Sequence, residues 1–298
     1  MKRILLFVAM QLAVLLVVSI VGSIIMSLLG IRLSGGSYTG LLIMCAIYGC
    51  VGSVISLFMS KTMCKTAYGV QIINNPSTYQ ERLVYNTVAE FAGRCGFQMP
   101  EVGIYQSPDP NAFATGASKD NALVAVSTGL LDSMTEEEIR GVIGHEISHI
   151  QNGDMVTMTL LQGVLNTFVY FFSYIVSQFA VQAMSNRDEE EGGSSGGNFM
   201  MFYLINSIMQ IIFGIGATLI LMWFSRYREY RADAGSAALA GRSTMIHALQ
   251  ALQRGVQPQA AQRASMQALC INSADLASLF SSHPPLEKRI EALRSLNI

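Results

Sequence analysis

Charged residues are absent from four long stretches of this chain: Ile4–Ile31, Leu33–Ser60, Met155–Asn186 and Gly192–Ser225. Each can supply the roughly 20 apolar residues that a helix needs to cross about 30 Å of hydrocarbon. The first holds a single amide, Gln11, and outruns the apolar core of a cleaved signal peptide, so it reads as a retained anchor. The second centres on Leu41–Met59. The third, Val156–Met184, carries Gln162, Asn166, Gln178 and Gln182, amides better suited to neighbouring helices than to lipid. The fourth, Phe199–Phe224, meets Trp223 near its end, where an amphipathic ring is comfortable at the membrane–water boundary.

Between these runs the pattern changes. Tyr79–Gly96 reads as a helix, with Ser77 or Thr78 as cap, Leu83, Val88 and Phe91 on one face, and Gly96 as the stop. Glu101–Tyr105 and Ala122–Ser127 are short β-branched apolar runs and read as strands, with the turn-rich PDPNAFATG before the second. Thr135 followed by Glu138 makes a capping box, and the pattern predicts a helix over Glu136–Gln151 that ends at Asn152-Gly153. Beyond the fourth run the helix continues to about Ala240. His247–Gln253 is helical, Gly255–Ser273 is Gln/Ala-rich without clear pattern, and Leu286–Leu296 is an amphipathic helix opened by Pro284-Pro285. The expected fold is an α-rich membrane protein with four transmembrane helices and a mostly α (α+β) domain carrying a small β-sheet.

Composition adds the topology. Only 13% of the 298 residues are charged and 51% are hydrophobic, with 19 basic and 20 acidic residues. A net charge of −1 disfavours a nucleic-acid partner, and five cysteines with no C-x-x-C pair exclude a disulfide scaffold. Lys2 and Arg3, Lys61 and Lys65, and Arg226, Arg228 and Arg231 all fall on one side of a four-span bilayer arrangement. The opposite side holds Arg32 and a Gly/Ser-rich loop at 185–198 with one arginine against four acids. By the positive-inside rule the basic side is cytoplasmic. Residues 1–60 are then two membrane helices, 61–154 a first cytoplasmic segment, 155–225 a membrane hairpin, and 226–298 a second cytoplasmic segment, with both termini inside.

The chemistry lies at HEISH, within the capped helix. Four residues of helix turn 400°, so His145 and His149 share a face and can bind one Zn²⁺. Glu146 projects beside that metal, where it can take a proton from a water and pass it to a leaving amine. A third ligand must come from the same side of the membrane. Glu229 and Asp233 share a helix face just past the fourth run, and a membrane hairpin returns Glu229 close to where His149 leaves. Asp233 could then receive the free N–H of a ligand histidine. The same acids with their arginines would equally suit a charged helix lying against lipid headgroups. His247 has no motif around it and reads as structural.

PNAFATG, HEISH, REYRADAG and SHPPLEKRI, in that order over Pro110–Ile290, together resemble the HtpX-type membrane zinc metallopeptidases of bacterial inner membranes, relatives of the CAAX prenyl peptidases. The resemblance implies a gluzincin-like catalytic domain, one zinc on His145, His149 and Glu229, Glu146 as catalytic base, and Asp233 in the family's aspartate position. It further implies that Asn111, Ala112, Phe113 and Ala114 flank the substrate cleft. There, a strand edge could hold an extended peptide; a plain turn before a core strand is the alternative. His283 resembles the family's histidine near the site, a candidate for oxyanion stabilisation; Ser281–Pro285 could equally just cap the last helix. Activity, on this resemblance, is endoproteolysis of misfolded or damaged membrane proteins in quality control and envelope stress.

Three other readings compete. A transporter or metal sensor would need ionisable residues inside the spans, and the four runs have none. A non-proteolytic scaffold with structural zinc would usually offer four protein ligands, often cysteines, and none lies near HEISH. A prenyl-protein processing peptidase would need a deep chamber, for which four spans are few.

Overall fold

The computed structural model describes residues 38–185, 195–267 and 282–296, with positions 20, 24 and 27. The first expected span and most of the 185–198 loop lie outside the described residues. Three described helices are long and apolar enough to cross a membrane: Tyr38–Tyr68, Asp154–Met184 and Asn198–Ala240.

The chain divides into two compact units. In the first, α1 (Tyr38–Tyr68) and α5 (Asp154–Ser185) touch through small residues. A Cβ on Gly49 would come within 2.8 Å of the Thr167 backbone nitrogen, and one on Gly163 within 3.2 Å of the Cys50 Cα. Such close backbone approach is how helices associate where lipid supplies no hydrophobic drive. Aromatic contacts join α5 to α6 (Ser195–Ala240), with Tyr174 and Phe202 ring centroids 5.2 Å apart. Phe168, Phe179, Phe199, Leu204 and Ile211 remain exposed, a surface that a bilayer would cover.

The second unit, Leu57–Met158 with Met222–Ile298, holds the sheet. Its strands are β1 (Gln71–Ile72), β2 (Glu101–Tyr105), β3 (Ala112–Ser118) and β4 (Asn121–Ser127), ordered β1-β2-β4-β3. β2 and β4 run parallel; β1 and β3 pair antiparallel with their neighbours. β4 is central, and its Leu123–Val126 run is fully buried, as a strand covered on both faces must be.

The turn expected at PDPNAFATG is shorter than its composition implies. Turn chemistry stops at Asn111, and Ala112–Ser118 is the edge strand β3. Pairing with β4 supplies the hydrogen bonds that local propensity does not advertise. Gly116, at φ 148°, lies so close to the Asn121 carbonyl that no Cβ fits.

Helices α2 (Tyr79–Cys95) and α4 (Glu136–Asn152) both begin in capping boxes, Thr78 with Glu81 and Thr135 with Glu138, and both end on left-handed glycines, Gly96 and Gly153. A short α3 (Thr128–Ser133) joins β4 to α4. Val84, Val88 and Phe91 of α2, Val124 and Val126 of β4, and Ile139, Ile143 and Ile147 of α4 form one core, to which α7 (Arg242–Gln267) adds Ala248. A smaller core joins Leu249 of α7 to Ile290 and Leu293 of α8 (Leu286–Ser295). Pro285 stands at the N-cap of α8 and makes no side-chain cap hydrogen bond, so capping leaves His283 unaccounted for.

Candidate metal centre and catalytic cleft

Two helices build the site, and small residues let them meet. Gly144 and Ser148 of α4 face Gly235 and Ser236 of α6. A Cβ on Gly235 would fall 2.4 Å from the Ser148 hydroxyl oxygen, and Ser236 donates to the Gly141 carbonyl at 2.7 Å. This seam brings the Glu229–Asp233 face of α6 against the His145–His149 face of α4.

His145 Nε2 and His149 Nε2 are 3.1 Å apart. Glu229 offers Oε2 to His145 Nε2 at 3.4 Å and Oε1 to His149 Nε2 at 3.3 Å. Tetrahedral zinc with bonds of about 2.0–2.1 Å spaces its ligands roughly 3.3–3.4 Å apart, so the triangle of donors fits that ion. The donor set, two imidazoles and a carboxylate, is also the type used by catalytic zinc. Among the described residues these three form the one grouping of metal-ligand type.

Each imidazole is steered from behind. His145 Nδ1 lies 2.9 Å from Asp233 Oδ1, and His149 Nδ1 lies 2.6 Å from Asp154 Oδ2. With both Nδ1 atoms held by carboxylates, both Nε2 atoms turn to one point. Burial opposes charge on both rings. Hydrogen bonds to Asp154 and Glu229, with the negative charges of Glu146 and Glu229, nevertheless push His149 up to about 9. Asp233 and Glu229 raise His145 in the same way, against its burial.

Arg289 of α8 completes the buried layer. Its Nε and Nη2 donate to Asp233 at 2.8 and 2.6 Å, and its Nη1 lies 3.2 Å from Glu229 Oε2. His283 Nδ1 is 2.7 Å from the same Glu229 oxygen, while its side chain stays 62% exposed. The fold therefore gathers His145, His149, His283 and Arg289 around the Glu229 carboxylate, with Asp233 behind His145.

Glu146 is half-buried and opens on a cleft of about 640 Å³ that also touches His145, Glu229 and His283. Asn111 and Ala112, at the start of β3, line its wall, and Leu130, Val142 and Leu249 make it largely apolar. Phe113 packs in tilted ring contacts, with centroids 5.6 Å from Tyr105 and 5.2 Å from Tyr68, and Ala114 packs on the core. Asn111 and Ala112 thus line the cleft, whereas Phe113 and Ala114 do not. His247 lies apart, exposed and 3.9 Å from Glu137.

The sequence model of Peptidase family M48 matches residues 76–297, which contain every one of these groups. The chain belongs to peptidase family M48. Two relatives of this M48 chain are each described as "Protease HtpX". That of Actinobacillus pleuropneumoniae serotype 5b (strain L20) is 53% identical over 295 residues, covering 99% of both chains. That of Klebsiella pneumoniae subsp. pneumoniae is 52% identical over 297 residues, covering 99% of this chain and 98% of the relative. The crystal structure of S. mikatae Ste24p shares the fold at TM-score 0.59 and 20% identity. It covers 85% of this chain, which spans 58% of the Ste24p chain. The M48 chain is therefore a membrane-associated metalloprotease.

Asp154 and Arg289 escaped the sequence reading. Asp154 follows Asn152-Gly153, a helix stop whose left-handed glycine returns the chain towards His149. Arg289 shares the buried face of α8 with Ile290 and Leu293, and a charge on an apolar helix face signals a buried acid partner.

Proposed function

We propose that this M48 metalloprotease is a zinc-dependent endopeptidase working at the cytoplasmic face of the bacterial inner membrane on misfolded or damaged membrane proteins under envelope stress. One observation carries the catalytic part: two imidazole Nε2 atoms and a carboxylate at tetrahedral spacing, each imidazole held by an acid. His145, His149 and Glu229 would hold the zinc, which when bound acts as a Lewis acid on a carbonyl and acidifies water.

The remaining steps belong to side chains. Glu146 takes a proton from the attacking water and delivers it to the leaving amine. His283, fixed through Nδ1 by Glu229, donates to the developing oxyanion. Asp233 and Asp154 keep the two ligand rings in one tautomer. Among the described residues β3 pairs only with β4, so its other edge can take an extended peptide by pairing with the main chain of Asn111–Ala114, while Asn111 and Ala112 alone line the cleft. The basic residues that flank the apolar runs, Lys61, Lys65 and Arg226, support a cytoplasmic site and four spans with the first apolar run included. The cleft's apolar lining suits unfolded, apolar-rich segments, which damaged membrane proteins expose.

The test replaces Glu146 by Gln in zinc-loaded protein. Metal content should stay near one ion per chain while cleavage of casein or a misfolded membrane substrate falls by at least about 100-fold. Cleavage at the wild-type rate would refute the assignment. Cysteine labelling from the two sides of the membrane checks the face: positions near Ile150 and Tyr230 should react only from inside.

A further inference from the structure

A second cavity, of about 380 Å³, lies on the neighbouring face of α6. Trp223, Arg226, Tyr227 and Tyr230 stand at i, i+3, i+4 and i+7, one stripe of the helix, and line it from one side. Pro285 and Lys288 close it from the other. Trp223, Arg226, Tyr227, Tyr230 and Lys288 have no part in the catalytic cleft. Trp223 and Tyr227 are 64% and 57% exposed, costly for large rings facing water.

The position along the helix identifies the occupant. α6 is continuous from the apolar run 199–224 to Tyr230. Trp223 to Tyr230 rises about 10 Å, close to the roughly 5–8 Å depth of a headgroup layer. Aromatic rings that are apolar on one side and polar on the other belong at that depth. Arg226 and Lys288 come from different helices, and both line the same cavity, which therefore carries two basic side chains. Two cations on the headgroup side of the Trp223 ring suit a phosphate whose attached chains lie lower, in the hydrocarbon.

We propose that this cavity binds the phosphate of an anionic phospholipid headgroup, with Arg226 and Lys288 on the phosphate and Trp223 beside the glycerol and upper acyl chains. Pro284 and Pro285 line both this cavity and the catalytic cleft, so the lipid sits beside the segment that carries His283.

Trp223 is the only tryptophan in the chain, so its fluorescence reports on this cavity alone. The full chain, carrying Glu146→Gln so that the readout is independent of proteolysis, is placed in mixed bilayers. A fixed fraction of phosphatidylglycerol or of phosphatidylcholine carries dibrominated acyl chains. Quenching should favour brominated phosphatidylglycerol by several-fold. Lys288→Gln should lower that preference by about fivefold, the contribution of one basic residue at an anionic surface. Lys288→Arg should keep it. Equal quenching by the two lipids overturns the proposal, as does a preference that survives Lys288→Gln, which would mean diffuse attraction by other basic residues. Inorganic phosphate or an acidic peptide added to the bilayers should leave that preference unchanged. If either one abolishes the preference, the cavity is instead a site for soluble phosphate or for acidic polypeptide, and the lipid assignment falls.

Discussion

Asp154 Oδ2 lies 2.6 Å from Nδ1 of His149, five residues ahead of it in the chain, on the far side of a left-handed Gly153. Asp154 opens α5, and its backbone carbonyl accepts a hydrogen bond from Arg228 Nη1 at 3.1 Å. The ring of His149 is thereby tied to both helices that lead into the membrane hairpin.

Removing that tie should loosen the metal before it affects the fold. Asp154→Ala leaves His149 free to rotate and to take the wrong tautomer. Zinc affinity is expected to fall by about 10–100-fold. Asp154→Asn keeps an acceptor oxygen and should fall less. Competition with a chromogenic chelator measures both variants. Unchanged affinity for the alanine variant would show that His149 needs no outside orientation.

Arg289 presents the opposite case, a buried charge whose loss strands its partners. Asp233 and Glu229 are almost fully buried and share this one guanidinium. Arg289→Met should destabilise the zinc-free protein by about 3–5 kcal/mol, because a buried carboxylate is left uncompensated. Adding Asp233→Asn should recover part of that loss. Urea titration in detergent gives the values, and a loss below about 1 kcal/mol would mean water replaces the guanidinium.

Legibility along this chain tracks how local the controlling interaction is. The α4 helix was readable because Thr135, Glu138 and Gly153 settle its ends within its own length. Glu229 was readable as a neighbour of the histidines because both flank the same apolar hairpin. The β3 strand was obscured because Pro108-Asp109-Pro110 announces a turn and the following small residues carry little strand signal; only β4 makes them extended. Arg289 meets Asp233 across 56 residues, a separation no local pattern encodes. The α4–α6 seam is likewise silent in sequence, since a glycine shows its need for space only when a neighbour is known.

That seam gives a third prediction. Gly235→Ala places a methyl within 2.8 Å of the Ser148 Cβ, and neither helix backbone can yield without parting from the other. α6 should shift by several tenths of an ångström, carrying Glu229 away from His145 and His149. The expected outcome is destabilisation of about 1–3 kcal/mol with weaker zinc binding. Ser148→Gly in the same chain removes the obstructing side chain and should restore most of both. Failure of that rescue would mean that the alanine acts elsewhere.

The capping box of α4 yields a pH dependence. Glu138 is buried, which by itself disfavours its charge, but hydrogen bonds from the Thr135 backbone and from Arg254 outweigh that and hold its carboxyl below the usual range. A depressed folded value means that the unfolded chain binds the proton more tightly. The ionised side chain therefore contributes stability above the unfolded value of about 4.3, and this is lost as pH falls through the lower folded value. Glu138→Gln, almost the same size, removes the charge at every pH. In the presence of a chelator, wild type should exceed the variant by about 1 kcal/mol at pH 7, with the two converging by about pH 3. Denaturation midpoints across that range measure the gap. A gap that stays constant down to pH 3 would assign the stability to packing of Glu138 and not to its charge.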